Sequence, residues 1–173
     1  SGQSNHPDPI FRLPFTYFGF GLCAVALGIV RPAVEGLKAL AAGKVSAVSR
    51  RGLKDQSQAQ YAVAKSEALL RSSRLYAHEC VGALWEALSS GAPVTLEMRG
   101  RTRGSYVHAA ESAMQAAQLC YRAAGGSALW EKGPFEQALR DVNAVGCHIT
   151  MQQVMMEEAG RVDLGLEPTV PFV

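Results

Sequence analysis

The chain has 173 residues, 48% apolar and 18% charged, and its 17 Lys and Arg against 15 Asp and Glu leave a formal net charge of +2. One domain is expected at this length, and such a domain buries about 70% of its unfolded surface, so it needs no disulfide or metal staple. The even charge balance excludes a nucleic-acid protein living on net charge, and the apolar content excludes a disordered chain.

Residues 1–14, SGQSNHPDPIFRLP, hold three prolines and are expected to form an extended lead-in. Thr16–Val30 is apolar for 15 residues and stops at Arg31-Pro32. A membrane span needs about 20 residues and a signal peptide an early basic start, so this stretch reads as a core helix. The first helix is expected from about Phe15 to Ala42, bent near Gly28–Pro32 because an interior proline removes one hydrogen bond. Lys44–Gln56 is a basic loop carrying Arg50, Arg51 and Lys54.

A second helix is expected from Ser57 to Ser89, with Ser57 and Gln60 at capping-box spacing. Its two adjacent apolar stripes, Ala62–Leu69–Tyr76–Cys80 and Val63–Leu70–Ala77–Val81–Leu84, give a wide buried face. Glu67 and Arg71 form an i,i+4 pair on the wet side. Pro93–Met98 is a short, isolated strand-like stretch, and no other segment alternates like a strand. A third helix runs from Thr102 or Ser105 to Ala124 along an alanine stripe and stops at Gly125-Gly126. A fourth opens at Pro134, where the missing N–H costs nothing, and runs to about Glu158. With 26 alanines and four long helices joined by short loops, the chain reads as an all-α, antiparallel four-helix bundle over residues 15–160, followed by an irregular tail, 161–173.

Chemistry is sparse. Cys23, Cys80, Cys120 and Cys147 lie 57, 40 and 27 residues apart, without metal-ligand spacing, and read as reduced thiols of a cytoplasmic protein. The four histidines give no metal site. In a helix His148 shares the face of Asp141, Ala144, Met151 and Met155, where a core role competes with a functional one. Arg122–Gly126, RAAGG, reads first as an ordinary helix end with a last-turn cation, and only second as a site for a phosphate-bearing ligand.

The run Ala123–Gln152, AAGGSALWEKGPFEQALRDVNAVGCHITMQ, together with Phe11-Arg12-Leu13-Pro14-Phe15, AVALGIVRPAVE and GRVDLGLEP, resembles the C-terminal domain of the acyl-CoA dehydrogenase superfamily. Within that superfamily it is most similar to two-component flavin-dependent monooxygenases of phenols and related aromatics. The resemblance spans nearly the whole chain and implies the last of three domains, a helical one that builds a homodimer or homotetramer. It implies reduced flavin, FADH2 or FMNH2, delivered by a separate flavin reductase, and hydroxylation of an aromatic substrate by dioxygen through a flavin C4a-hydroperoxide. Neither nucleic acid nor membrane is an implied partner.

Carried over by position, Gly125 and Gly126 match the glycine pair that approaches the flavin phosphates of a neighbouring subunit. Arg12 matches an arginine that reaches the flavin, and Arg122 stands where dehydrogenases usually keep glutamine. Arg50 or Arg51 falls near a phosphate-binding arginine. Pro32 replaces a usual helix former. About nine residues after Arg140, many dehydrogenases keep their catalytic glutamate, whereas this chain reads Gly146-Cys147-His148-Ile149-Thr150. His148 there implies a base for the phenolic proton or a hydrogen-bond partner for the flavin peroxide. Two other readings stand beside this one: a dehydrogenase with Glu35 as base, or a non-catalytic oligomerisation module.

Overall fold

The computed structural model describes residue 6 and residues 8–45, 50–129 and 133–170. Parts of the lead-in, the basic loop and the loop before Pro134, and the last three residues, lie outside the described residues. Five helices carry the fold: α1 Gly19–Gly43, α2 Ser57–Ser90, α3 Leu96–Ala124, α4 Pro134–Gly146 and α5 Gln153–Asp163. The only pairing outside helices among the described residues is an isolated antiparallel bridge, Val45 to Gly52. The fold is the expected all-α antiparallel bundle, with its fourth helix divided in two.

α3 is the axis of the bundle. Sixteen of its residues are buried, among them Ala109, Ala110, Ala113, Ala116, Ala117, Ala123 and Ala124. Their short side chains let α1, α2, α4 and α5 all pack on it. α1 is also a core helix, with Cys23, Ala26, Val30, Ala33, Val34, Leu37 and Ala41 buried. It is long and apolar enough to cross a membrane by length and composition, yet here it packs on α2, α3 and α4. It runs unbroken through Pro32, an exposed residue beside the start of α4. Gly36 lets α4 begin against α1, because a methyl group there would stand 2.7 Å from Pro134 Cγ.

Several elements depart from the sequence reading. The lead-in is not wholly extended: Pro9–Arg12 forms a 3-10 turn, capped by Asp8, whose carboxylate accepts from the Ile10 N–H at 3.0 Å. The capping box does not form. α2 starts from Gln56, and the Gln60 side-chain amide instead donates to the Lys54 carbonyl at 3.0 Å. The strand-like stretch is the start of α3, where Thr95 Oγ1 accepts from the Met98 N–H at 3.2 Å. Gly100 and Gly104, which look like breakers, are where α5 approaches, in contact with Val162 and Ala159.

The fourth helix ends at Gly146, not near Glu158. His148 takes an extended conformation and caps a 3-10 turn over Ile149–Met151. Glycine followed by β-branched Ile149 and Thr150 weakens the helix, and the His148 side chain offers the backbone another partner. His148 therefore does not share a helical face with Asp141. α5 then runs to Asp163, past the expected end of the bundle. The tail folds back onto it: buried Glu158 accepts from the Thr169 N–H at 2.7 Å and from the Thr169 hydroxyl.

Candidate functional site

Two groups of candidate residues emerge, at different heights of the bundle. The first lies at the shared end of α1 and α3. Gly125 closes α3 with φ +59 and ψ −139, backbone that an L side chain rarely adopts, and its N–H bonds the Arg122 carbonyl. Gly125 and Gly126 are exposed, and a methyl group on either would meet no atom within 4 Å. Arg122 is exposed in the last turn. Lys44, missed in the sequence, joins this end to the basic loop: its ammonium donates to the Ala124 carbonyl at 2.8 Å and to Ser127 Oγ at 2.9 Å. The Lys44 carbonyl accepts from the Leu53 N–H at 2.8 Å, which returns the chain just after Arg50 and Arg51 to the same end. Arg50 holds φ +53, an uncommon conformation for a non-glycine. Nothing local marks Lys44, since its partners lie 80 and 83 residues away.

Arg122, Gly125, Gly126 and the loop of Arg50 and Arg51 thus form one cationic corner with bare backbone. The flavin phosphates implied by the sequence fit it: positive charge is present, and the glycines leave the space a phosphate chain needs to come close. Lys44 is already spent on the α3 carboxyl end, so it shapes the corner rather than offering a free charge.

The second group surrounds His148, in the turn between α4 and α5. Its imidazole is exposed, as are Cys147 and Ile149. Nδ1 lies 2.8 Å from Thr150 Oγ1 and receives the Thr150 N–H at 3.3 Å. The inner nitrogen is held and Nε2 is free to meet a ligand. Just below, buried Met151 packs with Cys23, Tyr106, Ala109 and Ala110, alongside Tyr17, Phe20 and Leu22. The start of α1 is therefore the neighbour of the His148 turn. Phe18, 68% exposed, and Val25 continue the stripe of α1 whose lower part, Ile29 and Pro32, lies against α4. Arg12 sits exposed on the segment leading to this place.

The structure does not bring His148 to the glycine pair. From Ala110 to Gly125 is 15 residues of α3, about 22 Å by helix rise. Glu35, the alternative base, is exposed on α1 and tied to Lys38 at 3.0 Å and Arg31 at 3.5 Å. Among the described residues no three His, Cys, Asp or Glu side chains converge on a metal position. Burial pushes the Cys23 thiol up to about 11 and raises Cys80 and Cys120 as well, so these thiols are inert packing.

The bundle is of the acyl-CoA dehydrogenase C-terminal type. Residues 20–153 match the family described as acyl-CoA dehydrogenase, C-terminal domain, and the chain belongs to that family. It is 33% identical over 168 residues to indole-3-acetate monooxygenase of Pseudomonas putida, covering 96% of this chain and 43% of that protein. It is 26% identical over 167 residues to a pigment production hydroxylase of Rhodococcus erythropolis, covering 95% of this chain and 42% of that protein. In fold it superposes on the solved structure of XiaF from Streptomyces sp. in complex with FADH2 and glycerol, with a TM-score of 0.89 at 21% identity, over 96% of this chain and 43% of that one. The chain spans less than half the length of these relatives.

Proposed function

We propose that the chain is the C-terminal helical domain of a reduced-flavin-dependent monooxygenase that hydroxylates an aromatic substrate with dioxygen. The observation that carries this reading is the His148 turn. A chain 33% identical to an aromatic monooxygenase keeps an exposed, anchored imidazole, and no free carboxylate, in the break between its last two helices. Bound reduced flavin supplies the activation of dioxygen. The chain's own residues bind and orient. Arg122, Gly125 and Gly126, with Arg50 or Arg51, receive the flavin phosphates of a neighbouring copy, and Arg12 approaches a flavin from the start of α1. His148 takes a proton from the substrate's ring hydroxyl or ring N–H, or donates a hydrogen bond from Nε2, according to where its own proton sits.

The same reading makes the protein a homodimer or homotetramer served by a separate flavin reductase in the cytoplasm. The exposed stripe of α2, Tyr61, Leu75 and Trp85, supports self-association. The alanine stripe of α3 does not, since it is wholly used inside one chain. Oxygen uptake by the full-length enzyme tests the function: reduced FAD or FMN with an aromatic substrate should give hydroxylated product. Reduction of added flavin by an acyl-CoA thioester, without oxygen, would instead mark a dehydrogenase.

A further inference from the structure

A cleft of about 370 Å³ opens between α1 and α2, and neither His148 nor any residue of the cationic corner lines it. Its volume is at the small end of ligand pockets, roughly 300–1,000 Å³. The floor is buried and apolar, made by Cys23, Leu70 and Ala77, and Phe20 and Leu27 form its sides. The mouth is cationic. Arg31 is committed to Glu67 at 2.9 Å. Arg74 and His78 stand one turn apart on α2, and Arg74 makes no hydrogen bond or ion pair with any described residue. His78 stands edge-on to the Phe20 ring at 5.4 Å. The acids paired with this rim are already shared, Glu67 by Arg31, Lys38 and Arg71, and Glu35 by Arg31 and Lys38, and neither pairs with Arg74. An apolar slot with uncompensated positive charge at its mouth complements a flat apolar body carrying one negative charge.

We propose that this cleft binds an aromatic carboxylate, its ring between Phe20, Leu27 and Leu70 and its carboxylate on Arg74 beside His78. A guanidinium suits the carboxylate because its fork gives two parallel charge-assisted hydrogen bonds. The floor residues Cys23 and Ala77 belong to the same packed cluster as Met151, so the cleft backs onto the His148 turn. The inference deepens the function proposed above and rests on it only for the ligand's fate, as substrate or as effector. A protein segment lying in the slot is the competing occupant.

Calorimetric titration of the full-length enzyme with indole-3-acetate and with its neutral analogue indole-3-acetamide tests the site. The acid should bind at least tenfold more tightly than the amide, and Arg74→Gln should bring the two together, as loss of a charge-assisted bond predicts. Gly28→Leu should abolish binding of both, since Gly28 lines the cleft, a Cβ there meets no atom within 4 Å, and the rest of the side chain takes up the cleft's space. Melting temperature controls for folding, and it should hold or rise, because leucine is the better helix former. Equal binding of acid and amide, an unchanged affinity in either variant, or no binding at millimolar acid overturns the proposal. If the acid is the substrate, Arg74→Gln raises KM for the acid and not for a neutral aromatic; if it is an effector, the acid changes turnover of the neutral aromatic. The titration reads the cleft alone and product formation reads the flavin chemistry, so the two readings fail separately.

Discussion

At His148 the chemistry depends on a proton whose position Thr150 controls. While Nδ1 accepts from both the Thr150 N–H and its hydroxyl, the neutral ring carries its proton on Nε2 and can only donate outward. When the hydroxyl turns to accept from Nδ1–H, Nε2 becomes the base. Thr150→Val removes that acceptor but keeps the backbone donor, so it should fix the Nε2–H tautomer. Ring nitrogen chemical shifts read this directly: both tautomers in the parent, one in the variant. The glycine pair separates along similar lines. Gly125→Ala forces a side chain into φ +59 and should cost about 1–2 kcal/mol in thermal unfolding. Gly126→Ala meets no atom and should leave the melting temperature alone while weakening flavin binding. Arg12, Arg122 and both glycines stand out in the sequence as candidates, through the motif they sit in. Thr150 and Lys44 were not, because their roles rest on a broken helix and on a contact 80 residues away, which periodicity does not encode.

Between elements, the main polar clamp joins α1 to α2. Glu67 takes Lys38 at 2.6 Å and Arg31 at 2.9 Å and is only 19% exposed, so its pairing with Arg71 on a wet face is a minor part of its role. The Lys38 ammonium, then the Arg31 guanidinium, hold its carboxyl down at about 2. A depressed acid stabilises the fold above its unfolded value near 4.5 and loses that contribution as pH falls through 2. Glu67→Gln should therefore cost about 1–2 kcal/mol at pH 7 and flatten the acid limb of a denaturation profile between about pH 5 and 2. The α1–α4 contact is steric. Gly36→Ala drives a methyl into the rigid Pro134 ring, and about 1–3 kcal/mol of overpacking outweighs the gain of about 1 kcal/mol in helix propensity. Chemical denaturation should show a net loss. Helix two was legible from its apolar stripes, and helix three from Thr102 to its glycine stop but not at its Leu96 start, where Thr95 caps it. The end of the fourth was not: its 3.6-residue pattern continues through Ile149, and what stops it is the His148 side chain bonding the backbone of Thr150.

For the molecule as a whole, α3 is lined with alanine so that four other helices can reach it, which leaves the chemistry on the rim. The cationic corner and the His148 turn lie at two heights of the bundle, and both are exposed. The central claim is that His148 serves aromatic hydroxylation and not the packing of the bundle. Its direct test is the ratio of hydroxylated product to hydrogen peroxide in the full-length enzyme, measured with melting temperature, for His148→Asn against the parent. Asparagine keeps a hydrogen bond but cannot accept the proton. Product should fall on the order of 10²–10⁴-fold, with flavin still oxidised, peroxide taking the product's place and the melting temperature unchanged. A variant that melts lower yet keeps the parent's product-to-peroxide ratio would contradict the claim and leave His148 a structural cap.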